Sequence, residues 1–102
     1  MFVLELTYTG PLERVDELLP DHVAWLDAHY ASGAFIASGR KNPRDGGIIL
    51  AVGEDRSRIE AITATDPFVT EGLCEYRVTE FLATRTAPDL SAYRRQPPVQ
   101  GR

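Results

Sequence analysis

The chain has 102 residues, the usual size of one domain built around one core. Hydrophobic residues make up 43% and charged residues 25%, a globular balance without the compositional signature of disorder. The net charge of −4 argues against a nucleic-acid surface, which needs clustered lysine and arginine to neutralise phosphates.

The first element is a strand. Phe2, Leu4, Leu6 and Tyr8 point one way while Val3, Glu5 and Thr7 point the other, the period-two pattern of a half-buried strand. Gly10-Pro11 ends it. From Leu12 to Tyr30 the period changes: Val15, Leu18, Leu19, His22, Leu26 and Tyr30 recur at helical spacing. Pro20 removes a backbone donor within this run, which predicts a short helical segment over 12–18 and a main helix starting near Pro20. Asp21 and His22 then fall in the first turn, close to the positive helix end, and Gly33 provides the stop.

Residues 34–39 form a second strand and residues 46–53 a third, joined by a loop carrying Asn42-Pro43 and Asp45-Gly46 turn signals. A second helix is predicted over 55–65, capped by Asp55 or Ser57, with Ile59, Ala61 and Ile62 on its apolar side. Asp66-Pro67 opens a further helical turn, Asp66 at the cap position and Pro67 at the first helical site. Residues 73–82 form the last strand, with Tyr76 and Val78 on one face. From Thr84 the chain carries Pro88, Pro97, Pro98 and Gly101, so residues 84–102 are expected to be an irregular tail after a domain over 1–83.

The order strand, helix, strand, strand, helix, strand predicts an α+β fold of the ferredoxin-like βαββαβ type, a four-stranded antiparallel sheet with both helices on one face. The other face is expected to carry Val3, Ile36, Ile49 and Phe81, an apolar surface that points to a partner. A domain this small buries only roughly two-thirds of its unfolded surface, so a second copy packed face to face is the economical occupant.

His22 is the leading chemical candidate. It faces inward near Leu26, one turn from Leu18 and Leu19. A histidine there either hydrogen-bonds to backbone as a structural residue or serves as a general base or acid, being the side chain that titrates near neutral pH. Asp66 is the candidate carboxylate to orient it, although helix capping alone would explain that residue and spacing does not bring the two together. His29 lies two turns beyond His22, but a third metal ligand at a suitable spacing is missing. Gly46-Gly47 does not open a helix, which excludes the known phosphate-cradling loops, and Ser38 has no nucleophile-elbow motif. No cofactor motif is present.

Arg40, Lys41 and Arg44, with Arg94 and Arg95, are too few for nucleic acid and better suited to a small anion. Cys74 is the single cysteine, so no internal disulfide can form, and its alternating apolar surroundings predict a buried, inert thiol. Met1 leads straight into a strand pattern with no basic, then apolar, leader, and no run reaches about 18 apolar residues. The expectation is a soluble cytoplasmic protein without membrane or nucleic-acid partners.

Several segments, in order, resemble the YCII-related (YciI-like) proteins. They are Met1-Phe2-Val3-Leu4 leading to Tyr8-Thr9, Pro20 through Leu26, Gly33-Ala34-Phe35 running into Ser38-Gly39, and Asn42-Pro43-Arg44 followed by Gly46-Gly47. Asp66-Pro67-Phe68 and Glu75 through Phe81 complete the match over residues 1–83. The resemblance implies a ferredoxin-like subunit paired through its open sheet face into a dimeric α+β barrel. It also implies a His-Asp dyad, matched here by His22 and Asp66, with Ser38 and Gly39 lining the same cleft. One related branch resembles dehydrochlorinases of chlorinated hydroxyquinols, and similar barrels host muconolactone isomerases and monooxygenases. The chain departs from the family at Arg40-Lys41, where members often carry a proline after Ser-Gly.

The functional expectation is a cofactor-independent enzyme of lyase or isomerase type, moving a proton on a small anionic or aromatic metabolite. His22 would move the proton, Asp66 would orient the imidazole, and Arg40 would hold an acidic group. The alternative is a non-catalytic, small-molecule-binding or accessory dimer of the same fold.

Overall fold

A computed structural model describes residues 1–53 and 55–95. The elements run β1 (Phe2–Tyr8), α1 (Leu12–Ala31), β2 (Phe35–Arg40), β3 (Gly46–Ala51), α2 (Arg56–Thr63), α3 (Pro67–Thr70) and β4 (Cys74–Glu80). The four strands form one sheet in the order β2-β3-β1-β4, and every neighbouring pair is antiparallel. This is the expected ferredoxin-like arrangement, with β1 central and its apolar side chains buried. Phe2, Leu4 and Leu6 are at most 3% exposed, packed with Phe35, Ile49, Ala51 and Ile59 at one end of the core and with Val15, Phe68 and Leu73 at the other.

Two expectations about the helix-bearing face need correction. Pro20 does not divide α1, which runs unbroken for 20 residues. Its ring lies on an exposed position, and buried Val15 on one side and buried His22 on the other both dock the helix onto the same core. Burial on both sides offsets the one lost backbone bond. His22 is therefore a mid-helix residue rather than a first-turn one, and neither it nor Asp21 sits at the positive helix end. Ile49, expected on the open face, lies in the core: it stands directly opposite Leu4 in the β1–β3 register, and opposed residues share a face. Residues 46–51 are too uniformly apolar for alternation to assign their faces.

The face without helices presents half-buried Val3, Ile48 and Leu50 beside Glu5, whose carboxylate accepts a hydrogen bond from Lys41 Nζ at 3.2 Å. Phe81, just past β4, is 41% exposed. Gly46-Gly47 permits the close packing of β3 between its neighbours. A Cβ at Gly46 would stand 1.8 Å from the Leu6 carbonyl oxygen, and one at Gly47 would stand 2.9 Å from that of Gly39.

After β4 the chain is less irregular than expected. A 3-10 helix spans Pro88–Tyr93, opened by a proline that suits its first turn, and the Arg95 N–H donates to the Ala83 carbonyl at 3.0 Å. Pro97, Pro98 and Gly101, on which the expectation of an irregular tail partly rested, lie outside the described residues. No helix among the described residues is long and apolar enough to cross a membrane.

Candidate active site

The segment Thr65-Asp66 is joined to α1 by two side chains one helical turn apart. Trp25 Nε1 donates to Thr65 Oγ1 at 2.9 Å, and His22 Nδ1 lies 2.9 Å from Asp66 Oδ1. Asp66 is the N-cap of α3, accepting the Phe68 N–H on the same Oδ1 at 2.9 Å. Its other oxygen, Oδ2, accepts the Tyr76 hydroxyl at 2.5 Å. The carboxylate is wholly buried, and three donors converge on it, which compensates the desolvation of its charge. Burial, then the charge of Asp66 and the bond it makes with it, pushes the Tyr76 phenol well above its ordinary range, so Tyr76 remains a neutral donor.

A carboxylate only accepts, so the neutral imidazole carries its proton on Nδ1 and leaves Nε2 with a lone pair. Among the described residues, the one buried side-chain polar atom without a partner is Arg44 Nε. His22 Nε2, which no protein group engages, therefore keeps contact with solvent although the residue is only 7% exposed. The ring is fixed by flanking aromatics: Phe68 lies nearly parallel at 4.2 Å between centroids, and Trp25 lies 5.5 Å away at 29°. The imidazole is thus oriented by one charge-assisted bond and two ring contacts.

His22 opens into a cleft of about 140 Å³ bounded by Leu6, Tyr8, Ser38, Gly39, Arg40 and the Gly46-Gly47 backbone. All three residues expected to bind a ligand, Ser38, Gly39 and Arg40, lie on this cleft with His22; Asp66 stands behind the imidazole, outside the lining. Ser38 Oγ is 2.6 Å from the Tyr30 hydroxyl. The rest of the first basic run is taken up elsewhere. Lys41 pairs with Glu5 and Asp45, and Arg44 pairs with Asp16 at 2.5 Å while its guanidinium lies 5.9 Å from the Tyr8 ring centre.

Tyr76 is the residue that sequence reasoning missed. Its alternation placed it on one face with Val78, and a tyrosine pointing into a core needs a partner for its hydroxyl. That requirement was the available signal, but it did not identify the partner. His29 and His22 do not form a joint site: the His29 ring rests on Trp25 and Phe35, and desolvation holds its imidazole below the usual range. Among the described residues no group of three or more His, Cys, Asp or Glu could hold a metal ion.

Cys74 is buried beneath this site, and desolvation, followed by the charges of Asp66 and Glu75, pushes its thiol up to about 12. A raised value favours the protonated thiol in the folded state. The associated stabilisation is fully present below about 9 and is lost as pH rises through about 12. Iodoacetamide alkylation at pH 8 should therefore be at least about a hundredfold slower in the folded protein than in urea, read by mass spectrometry. Equal rates would show an exposed, ordinary thiol.

The sequence model of the YCII-related domain matches residues 1–82. The chain belongs to the YCII-related family. A solved structure similar to this YCII-related chain is 5-chloro-2-hydroxyhydroquinone dehydrochlorinase (TftG) from Burkholderia phenoliruptrix AC1100, in complex with 2,5-dihydroxybenzoquinone. The two share 18% sequence identity and a TM-score of 0.67, over 79% of this chain and 93% of that one. At that identity the likeness establishes a common fold. No curated protein matches the chain.

Proposed function

We propose that this YCII-related protein is a cofactor-independent acid–base enzyme of lyase or isomerase type, acting on a small anionic or aromatic metabolite in the cytoplasm. The observation that carries the reading is the buried His22–Asp66 pair, with His22 Nε2 left facing a cleft. Nε2 takes a proton from the substrate and returns it at a second atom or passes it to a leaving group. Asp66 keeps Nδ1 protonated and stabilises the imidazolium that forms. Arg40, on the cleft wall, pairs with the acidic group of the substrate, and Ser38 and the Gly39 backbone offer further polar contacts.

An already acidic substrate suits this apparatus, because one positioned base contributes about 10² to 10⁴-fold. A chlorinated hydroxyhydroquinone, with its acidic phenol groups, fits that description, and the structurally similar protein named above is a 5-chloro-2-hydroxyhydroquinone dehydrochlorinase. Screening small halogenated phenols and carboxylic acids for proton exchange, elimination or isomerisation tests the proposal. Binding without turnover across the panel would favour the alternative, a non-catalytic binding protein.

The functional unit in this reading is a homodimer joined through the open sheet face. Val3, Ile48 and Leu50 give that face its apolar centre, and a second copy would bury them. Leu50→Lys is expected to shift the sedimentation profile from dimer to monomer at micromolar concentration, with the circular dichroism of the fold retained. A wild-type monomer under the same conditions would refute the dimer.

A further inference from the structure

Ser38 reaches the helix-bearing face of the sheet through an irregularity in β2. Phe35 pairs with Ala51 and Ser38 with Ile49, with a register shift between Phe35 and Ala37. In a regular strand, residues three apart point to opposite faces; the shift brings Ser38 to the face of Phe35. Ile49 in turn stands opposite Leu4, so Ser38 lies on the core side, bordering the same cleft as His22. Such irregularities re-aim side chains, and the side chain turned here is a hydroxyl.

On α1, His22, Leu26 and Tyr30 follow one another at i, i+4 spacing, one ridge whose first two members line the cleft. Helical side chains lean toward the helix N-terminus, so Tyr30 reaches back along this ridge. Its ring stands edge-on to Phe35 at 6.2 Å, and its hydroxyl lies 2.6 Å from Ser38 Oγ. A phenol is a stronger donor than an aliphatic alcohol, so Tyr30 O–H donates and Ser38 Oγ accepts. That bond turns the Ser38 proton away from Tyr30, and among the described residues no other protein group accepts it.

We propose that Ser38 O–H holds the substrate oxygen on which negative charge develops, and that Tyr30 is the positioning residue that aims it. The proposal rests on the acid–base reading of His22. When Nε2 removes a proton, the electron pair left behind settles on a carbonyl or phenol oxygen of the substrate. A donor already oriented at that oxygen stabilises the anion without reorganising. The bond from Tyr30 polarises Ser38 and strengthens its donation. The substrate class is thereby narrowed to small molecules whose acidic proton is on, or conjugated to, an oxygen.

The test is a double-mutant cycle on the full chain at pH 8 with pentafluorophenolate, an anionic oxygen on a single ring. The cleft of about 140 Å³ suits one ring, since an apolar cavity of about 150 Å³ admits benzene. Binding is followed by ¹⁹F and ¹⁵N-edited NMR to about 10 mM ligand, a range that captures millimolar affinity. The amides of Ser38–Arg40 and Gly46–Ile48 are expected to shift saturably. Ser38→Ala should weaken binding about tenfold and Tyr30→Phe about threefold. In the Ser38→Ala background, Tyr30→Phe should add nothing, because it acts through Ser38. The para-fluorine resonance tracks charge on the oxygen, so on binding it should move toward its phenol position, and less so in Tyr30→Phe. Hexafluorobenzene, the same ring without the oxygen, should bind all four proteins alike. Phenylalanine keeps the ring against Phe35, and Ser38 is exposed, so each variant should keep the wild-type fold. No saturable shift at these amides, unchanged binding by Ser38→Ala, a Tyr30→Phe loss that persists without Ser38, or equal losses with hexafluorobenzene would each overturn the proposal. An intact cycle with no turnover of any substrate would instead fail only the enzymatic reading.

Discussion

Asp66→Ala is expected to destabilise the fold by about 3–5 kcal/mol, because each buried donor left without an acceptor costs about 1–3 kcal/mol and three donors lose theirs. The carboxylate is fully buried and accepts from Phe68 N–H, His22 Nδ1 and the Tyr76 hydroxyl. Removing it leaves three donors facing a void that no other acceptor fills. A residue that only capped α3 would cost about 1 kcal/mol, so the size of the loss separates the two roles. For a domain whose total stability is on the order of 5–15 kcal/mol, the larger loss moves the urea midpoint far down or unfolds the protein at 37 °C. Asp66→Asn should cost much less. Its amide oxygen can keep Phe68 N–H and His22 Nδ1, while its nitrogen, in place of Oδ2, donates to a Tyr76 hydroxyl that has turned round. Urea denaturation of the three proteins, at unchanged m-value, gives the comparison. An alanine cost near 1 kcal/mol would mean that the site is looser than its geometry indicates.

The parts of this molecule that were legible in the sequence are those fixed by local chemistry. Alternation in β1, the Asp66-Pro67 cap and the turn signals around Asn42-Pro43 each depend on neighbours a few residues away, and each stands where expected. The misplaced features depended on distant contacts. Pro20 breaks an isolated helix, but here its exposed ring and the burial on both sides let α1 continue. Ile49 took its face from pairing with Leu4, which lies 45 positions away and carries no signature in the local run. The dyad is the sharper case. Helical periodicity turned His22 inward, and capping rules put Asp66 at a helix start, yet neither implies a bond across 44 residues; the family resemblance supplied that pairing. Tyr76 completes the cluster from a strand, through a register that no local pattern reports.

His22→Gln is expected to lower turnover by about 10² to 10⁴-fold, the usual contribution of a positioned general base. Glutamine can still donate from its amide to Asp66, so the carboxylate keeps its third partner, but it cannot take up a proton and carry it to a second atom. His22→Ala would confuse two effects, because it also removes the ring that packs on Phe68 at 4.2 Å and on Trp25 at 5.5 Å. With Gln, the expected pattern is a large fall in kcat, a small change in KM and a fold close to wild type. A role for His22 confined to binding would raise KM and leave kcat in place. Asp66→Asn supplies the remaining distinction. It preserves the hydrogen-bond pattern but removes the negative charge beside the imidazolium that forms in the transition state, so kcat should fall while stability falls little. Full turnover in both variants, with a substrate from the screen, would place the chemistry elsewhere and leave the buried pair as a structural clamp between α1 and α3.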